Sequence, residues 1–457
     1  NSMHKIEQAI AVATRSRAYN ALITDTFDLA RSQAQSALDK GLEPFPIVVK
    51  DCFAIKDVPL TCASRMLEKF VPPYTATVVQ RLIDKGGCVI GKANLDEFCM
   101  GTSSALGYFG PVKSGFSDES SLDEDWRIPG GSSGGPAVAV QLGMADMALG
   151  SDTGGSTRNP AAFNGLFGLK PTYGICSRFG LVPLVNSMDA PSIFTRTADD
   201  CLRYLEIMAG ADECDATSIA FPARPRRTTL SGLRVGIPRE FHNPSLSPDA
   251  WAVWNAAANV LERQGAEIIE VSLPHTKYSL LGYHVLCTVD VCSNMARYDG
   301  ISFGYRSPSA SAESSTYALL AASRSESLNE VVRRRILAGN YFLMKENRDK
   351  FYDHALKVRR VIADEMRAAL EKADVLLTPV ACGPAPLYSQ LSSGGFRRED
   401  EDDFYTQPVN LSGNPAISVP FGESINDKLP IGVQLIGRHL EDRMLIDTAG
   451  LLYEQRQ

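Results

Sequence analysis

Two short loops and one strand end carry the chemistry that can be read directly from this chain. The first loop reads Pro129-Gly130-Gly131-Ser132-Ser133-Gly134-Gly135, the second Gly150-Ser151-Asp152-Thr153-Gly154-Gly155-Ser156-Thr157-Arg158. They set Ser132 and Ser156 24 residues apart among glycines that let the backbone come close to a ligand. Glycine is costly to order, so two such loops in one short stretch need a reason. Upstream, Val48-Val49-Lys50-Asp51 leaves a lysine at the end of an apolar run. Two serines and a lysine suggest a nucleophile served by an amine base, a role open to an amine only where its neutral form is favoured. Plain turn chemistry for the loops and a snorkelling strand-end lysine stay open at this level.

Other catalytic patterns fit less well. The six histidines are His4, His242, His275, His284, His354 and His439, and none lies in a glycine-rich loop or a G-x-S-x-G elbow. Sequence order alone leaves a Ser-His-Asp triad open. Gly86 to Lys92 has the G-x-x-x-x-G-K spacing of a phosphate loop, but Ala93 follows where Ser or Thr would hold magnesium. Its interior, Gly87-Cys88-Val89-Ile90, reads as a buried strand. Neither serine loop has the G-x-G-x-x-G form of a dinucleotide site.

Composition narrows the class further. The 457 residues are 44% hydrophobic and 22% charged, ordinary for a globular protein with ample length for a core. A net charge of −7 argues against a strong nucleic-acid surface on this chain alone, while leaving room for a partner that holds one. The longest apolar candidate, Ala137 to Leu149, is interrupted by Gln141 and Asp146, so no membrane span is expected. Ten cysteines without a CxxC pair read as buried free thiols, and no metal ligand set is expected.

The elements that must position these residues follow from periodicity and breakers. Residues 3–40 read as helical, with Gly41 as a stop. Pro46 to Val49 and Gly87 to Gly91 read as buried strands, with a helix over Thr75 to Lys85 between them. Residues 111–128 read as a surface loop, and Pro136 to Leu149 as a helix behind the first glycine loop. Later strands are expected at 233–238, 268–271, 374–379, 416–420 and 431–437. Helices are expected over 248–265 and 328–372, with 305–327 as loop or frayed helix and 220–232 as a surface crossing. Alternating strands and helices indicate α/β architecture without internal repeats.

The glycine-serine block ending at Ser156 is similar to the amidase signature, and matching runs extend from about residue 42 to 440. The chain thus resembles the amidase signature family. The resemblance implies a mixed central β-sheet flanked by helices on both faces. It implies one domain over 1–457, with an N-terminal helical segment at 1–41 and a catalytic core at 42–220. Residues 233–457 would complete the sheet and the substrate pocket. It also implies Ser156 as nucleophile, Ser132 as a relay on a cis peptide and Lys50 as base. The N–H groups of Thr153, Gly154, Gly155 and Ser156 would form the oxyanion hole.

Further stretches are similar to the glutamine-using members of that family: Thr61-Cys62-Ala63-Ser64, Asn94-Leu95-Asp96-Glu97-Phe98, Lys170 to Gly174 and Ser177 to Leu181. Arg334-Arg335-Ile336-Leu337 resembles the segment that offers an arginine to the substrate α-carboxylate. Asp403, three residues before Thr406, resembles the aspartate that receives the α-ammonium. A glutamine side-chain amidase must hold a zwitterion, and Arg plus Asp is the minimal complement. Locally, a solvated basic helix start and the solvated acidic run Glu399 to Asp403 remain the plainer alternatives.

The resemblance implies ammonia release from glutamine, with no cofactor in this chain. ATP and Mg²⁺ would serve a partner kinase/transamidase, the B-subunit, which amidates glutamyl-tRNA(Gln). A small third subunit would complete the complex, with tRNA held mainly by the partner. A standalone amidase and an inactive scaffold are the alternatives. Three departures bear on origin: a shorter segment before Lys50, Ser156-Thr157-Arg158-Asn159-Pro160 in place of Ser-Ile-Arg-Gln-Pro, and Pro136 where a small residue is usual. With a first segment carrying Lys5, Arg15 and Arg17 against Glu7, they point to the mitochondrial matrix rather than a bacterial cytoplasm.

Overall fold

The computed structural model describes residues 2–309, 315–395 and 397–456. Among these, eleven strands form one mixed sheet. They are β1 (Leu22–Asp25), β2 (Phe45–Lys50), β3 (Gly87–Ala93), β4 (Met147–Asp152), β5 (Phe167–Lys170), β6 (Ala190–Thr195), β7 (Arg234–Pro238), β8 (Glu267–Val271), β9 (Val375–Pro379), β10 (Ala416–Glu423) and β11 (Pro430–Gly437). Their order across the sheet is β1-β3-β2-β4-β6-β5-β10-β11-β9-β7-β8. β2 runs parallel to β3 and β4, and β7 parallel to β8 and β9; the other pairs are antiparallel.

Strand alternation explains why the centre is buried on both sides. Phe45, Ile47 and Val49 of β2 enter one apolar cluster, as do Val89, Met147 and Leu149 of its neighbours. Val48, Cys88, Ile90 and Ala148 enter a second, with Ile6, Ala30 and Val138 from helices. A parallel strand with helices on both faces reads as a continuous apolar run, which is what Phe45 to Val49 is. All ten cysteines are free thiols, and only Cys214 is exposed. Among the described residues no helix is long and apolar enough to cross a membrane.

The structure corrects several expected elements. Residues 3–40 are not one helix: Ser2–Arg15 and Phe27–Asp39 flank β1. Asn20 breaks the run in the left-handed region at φ 53, its amide donating to the carbonyls of Phe109 and Pro111. The chain then pairs with β3, where Gly91 leaves room for the Thr24 carbonyl. The helix expected to reach Leu149 spans only Gly134–Leu142. Gly143, at φ +92, ends it, and Met147 to Leu149 join the sheet between β2 and β6. The stretch 328–372 is two helices, Glu330–Leu343 and Tyr352–Lys372. Within 305–327 an ordered helix, Thr316–Ser327, begins where Ser315 Oγ accepts the Ala318 N–H; residues 310–314 lie outside the described residues. β5 and β6 had no counterpart in the sequence reading.

One helix pair reaches the functional region. Glu330–Leu343 lies against Ser279–Met295 so closely that a Cβ on Gly339 would stand 1.9 Å from the Thr288 carbonyl oxygen. Gly339→Ala must therefore separate the two backbones. Its expected cost is about 1–3 kcal/mol, as for an overpacked core. A shifted urea midpoint would register it, and an unchanged midpoint would show that the pair has slack.

Candidate active site

β2 and β4 run parallel with Val49 opposite Leu149, so both carry their C-terminal ends to one edge. β2 ends in Lys50 and β4 in Ser151-Asp152. Ligand sites in sheets with parallel strands lie at such ends. Lys50 is fully buried, and its Nζ donates to Ser132 Oγ at 2.8 Å and to Ser151 Oγ at 2.9 Å. Ser132 lies on a cis peptide after Gly131, just ahead of the Gly134–Leu142 helix. The Ser133 N–H donates to the Ser156 carbonyl at 3.2 Å, joining the two glycine loops. Ser156 is half-buried, and among the described residues its hydroxyl makes no hydrogen bond.

Gly131 must be glycine. A Cβ there would stand 2.3 Å from Asp96 Oδ2 and 2.7 Å from the Ser103 nitrogen. Asp96 is fully buried, its N–H reaching the Ser132 carbonyl at 3.4 Å and its Oδ2 accepting the Ser104 N–H at 2.9 Å. Burial pushes its carboxyl up to about 6, while the Ser104 N–H and Lys50 oppose the rise.

The turn before Ser156 is shaped by Asp152. Asp152 Oδ1 accepts the Gly155 N–H at 2.9 Å, and Oδ2 accepts the Thr157 N–H at 3.2 Å. Of the four N–H groups expected to face an oxyanion, Gly155 is thus already engaged. Those of Thr153, Gly154 and Ser156 have no acceptor among the described residues. Asp152 is buried against Arg158 at 2.9 Å; burial alone would raise its carboxyl, but the guanidinium holds it well below the usual range. Arg158 also donates to the Thr406 carbonyl, Gln434 Oε1 and Asn410 Oδ1.

Arg335 and Asp403 approach the site from two later helices. Arg335 lies on Glu330–Leu343 and reaches Cys287 Sγ at 3.6 Å. Asp403 ends the helix Arg397–Asp403, and its Oδ2 accepts from Gln407 Nε2 at 2.9 Å. Both are half-buried. Tyr283 stands between them and the serine turn: a Cβ on Gly154 would lie 2.7 Å from its ring. Burial raises the Tyr283 phenol; Cys287, Asp403 and Asp189 add to the rise and Arg335 opposes it. Burial, helped by Glu399, Asp402 and Asp400, also raises the Asp403 carboxyl well above its usual value, against the pull of Arg335.

The alternatives lose their footing. Gly87–Ala93 is a strand, and Lys92 is buried in an ion pair with Asp51 at 2.6 Å, so the phosphate-loop spacing is incidental. Among the described residues no histidine hydrogen-bonds to Ser132 or Ser156, and no group of His, Cys, Asp and Glu could hold a metal. Sequence reasoning gave no role to Ser151, Tyr283, Asp96 or Asp189. Ser151 lay inside the quoted loop, but its contact with Lys50 depends on the β2–β4 register. Tyr283 carried no local signal.

Residues 5–446 match the Amidase family. The chain belongs to the amidase family. It is similar to the mitochondrial glutamyl-tRNA(Gln) amidotransferase A-subunit of Bos taurus, at 46% identity over 99% of this chain and 90% of that protein. The Homo sapiens protein of the same name is 45% identical with the same coverage. Among solved structures, the glutamyl-tRNA(Gln) amidotransferase A-subunit from Thermotoga maritima superposes with a TM-score of 0.74 at 33% identity, covering 98% of this chain and 93% of that one. A structure described only as an amidase reaches 0.81 at 28% identity over 100% and 96%. These two solved structures share the mixed α/β sheet fold found here.

One carboxyl behind the serine turn gives a pH test. Asp189 accepts from Thr153 Oγ1 at 2.7 Å and from the Leu184 and Val185 N–H groups, and burial pushes it up to about 6. A folded pKa above the unfolded value of about 3.9 favours the fold below that value and loses this contribution as pH rises through 6. Relative to Asp189→Asn, the wild type should lose stability between about pH 4 and 6, by up to ~1.4 kcal/mol per unit. Parallel stability profiles for the two proteins would remove Asp189 from this account.

Proposed function

We propose that the chain is the glutamine-hydrolysing component of a glutamyl-tRNA(Gln) amidotransferase. The observation that carries this reading is the buried Lys50–Ser132 hydrogen bond beside the half-buried Ser156, with Arg335 and Asp403 gathered around Tyr283 over the same turn. The names of the relatives agree with it.

In this mechanism Ser156 Oγ attacks the side-chain amide carbon of glutamine. Its proton passes to Ser132 Oγ, whose own proton passes to Lys50 Nζ. Negative charge develops on the amide oxygen, opposite the N–H groups of Thr153, Gly154 and Ser156. The C–N bond breaks as the nitrogen takes back a proton through the same relay, and ammonia leaves. Water then cleaves the Ser156 ester to glutamate. Arg335 pairs with the α-carboxylate and Asp403 with the α-ammonium. The ammonia passes to the partner kinase/transamidase, where ATP and Mg²⁺ activate glutamyl-tRNA(Gln), with a small third subunit in the complex. The relatives' names support a mitochondrial location, and we place the protein in the matrix.

Two experiments test the chemistry and the substrate. Ser156→Ala should abolish glutamine-dependent amidation while added ammonia still supports it; Lys50→Arg should sharply lower it with the same ammonia rescue, because a guanidinium cannot serve as base at accessible pH. The expected fall for a lost general base is roughly 10²–10⁴-fold. Glutamine-dependent turnover near the wild-type rate in either variant, or failure of ammonia to rescue an assembled complex, would overturn the assignment.

Arg335→Ala leaves the substrate carboxylate without a partner, a loss of about 2–5 kcal/mol. Glutamine kcat/KM should fall on the order of 10²-fold or more, with ammonia-dependent amidation intact. Asp403→Ala should behave alike. Unchanged glutamine kinetics in both would favour the standalone amidase, for which neither charge has a use.

A further inference from the structure

We propose that Glu97 is a positioning residue for substrate recognition: it pins the helix carrying Arg335 to the loop that backs Ser132. The proposal rests on the reading of Arg335 as partner of the glutamine carboxylate.

Glu97 is 2% exposed, and both its carboxylate oxygens are engaged. Oε1 accepts from Ser64 Oγ at 2.5 Å. Oε2 accepts the backbone N–H of Asn329 at 2.7 Å. Asn329 is the N-cap of the Glu330–Leu343 helix; its own Oδ1 accepts the Val332 N–H at 3.0 Å, and its Nδ2 donates to the Leu106 carbonyl at 3.0 Å. A carboxylate at this end also suits the helix dipole.

The neighbouring residue makes this more than a local cap. Asp96 packs on Gly131 and bonds the Ser132 carbonyl, so one dipeptide touches the relay peptide with its first residue and the recognition helix with its second. The far end of that helix is fixed where Gly339 meets Thr288. Arg335 lies between the two fixed points. Releasing Asn329 lets the helix tilt about the Gly339 contact and carries Arg335 with it, while Lys50, Ser132 and Ser156 keep their own supports. Burial pushes the Glu97 carboxyl up to about 7, opposed by Ser64, Asn329 and the nearby Arg333. The packed structure keeps this acid in place against a desolvation cost.

Recognition and chemistry can be separated with two substrates on the complex purified with its natural partner chains. Butyramide presents the glutamine side-chain amide without either α-group. Glu97→Ala should raise the glutamine KM roughly tenfold, the weight of one buried hydrogen bond, with kcat and butyramide hydrolysis little changed. Glu97→Gln, which keeps an oxygen for the Asn329 N–H, should restore the wild-type KM.

Asn329→Pro provides an independent route if Glu97→Ala fails to fold. It replaces the N–H that Glu97 holds with a ring carbon and removes the side-chain bonds to Val332 and Leu106, at φ −69, which proline adopts, after an extended Leu328. Asn329→Ala removes the same side-chain bonds and keeps the N–H, so a glutamine KM higher in the proline variant than in the alanine variant reports the contact with Glu97. Equal KM values in those two variants would overturn the proposal. So would a parallel loss of glutamine and butyramide turnover in Glu97→Ala, the mark of a merely structural role. A wild-type complex with no preference for glutamine over butyramide would defeat the functional reading first, and the proposal with it.

Discussion

Arg158 commits all five of its guanidinium hydrogens inside the protein. Nε and one Nη2 bond go to Asp152, and the rest go to Asn410, Gln434 and the Thr406 carbonyl. The side chain is fully buried, so each of these bonds replaces one that water would otherwise supply. The result ties the end of β4, the segment after Asp403 and the middle of β11 to a single planar group. Asp152, held in this way, takes the Gly155 N–H and so decides which of its neighbours stay free to meet a developing negative charge. Replacing Arg158 would strand a buried carboxylate, at about 3–5 kcal/mol, and would disturb the nucleophile turn and the recognition segment together.

The chemistry of this chain was more legible than its architecture. Ser132 and Ser156 stand out in two glycine-rich loops, while Lys50, which could equally be a snorkelling strand-end lysine, takes its role from the resemblance to the amidase signature. The structure brings Lys50 and Ser132 into contact. What stayed hidden depends on register and on distant segments. β1 was absorbed into an expected helix because Leu22 to Asp25 pairs with β3, a partner that local propensity does not see. β4 was absorbed into the helix before it because one glycine, Gly143, decides the boundary. Asp152 and Arg158 were quoted as loop residues without a role, since their partners Asn410 and Gln434 lie far along the chain. Tyr283 could be found only once its helix was seen lying across Gly154.

Reaction and recognition draw on separate parts of the sequence. Every proposed reacting side chain lies between Lys50 and Ser156, at the end of β2 or in the loops before and after the Gly134–Leu142 helix and β4. The charges proposed to select the substrate come from helices beyond residue 329. The two sets meet through the Arg158–Asp152 cluster, Tyr283 over Gly154, Thr406 Oγ1 on the Gly154 carbonyl, and the Asp96-Glu97 pair. In this arrangement a change of substrate requires new helices around an old turn, and the turn itself can stay as it is.

The order of strands has a consequence during synthesis. β1 to β6 form one contiguous half of the sheet, and all of them have left the ribosome long before β10, which pairs with β5. At about 5–20 residues per second, the edge of β5 waits tens of seconds for its partner. Throughout that interval Phe167 to Lys170, paired on one side with β6, presents its other edge to any strand within reach. The nascent chain therefore carries its own aggregation hazard at the seam between its two halves, and a holdase chaperone acting on it has a defined window in which to do so.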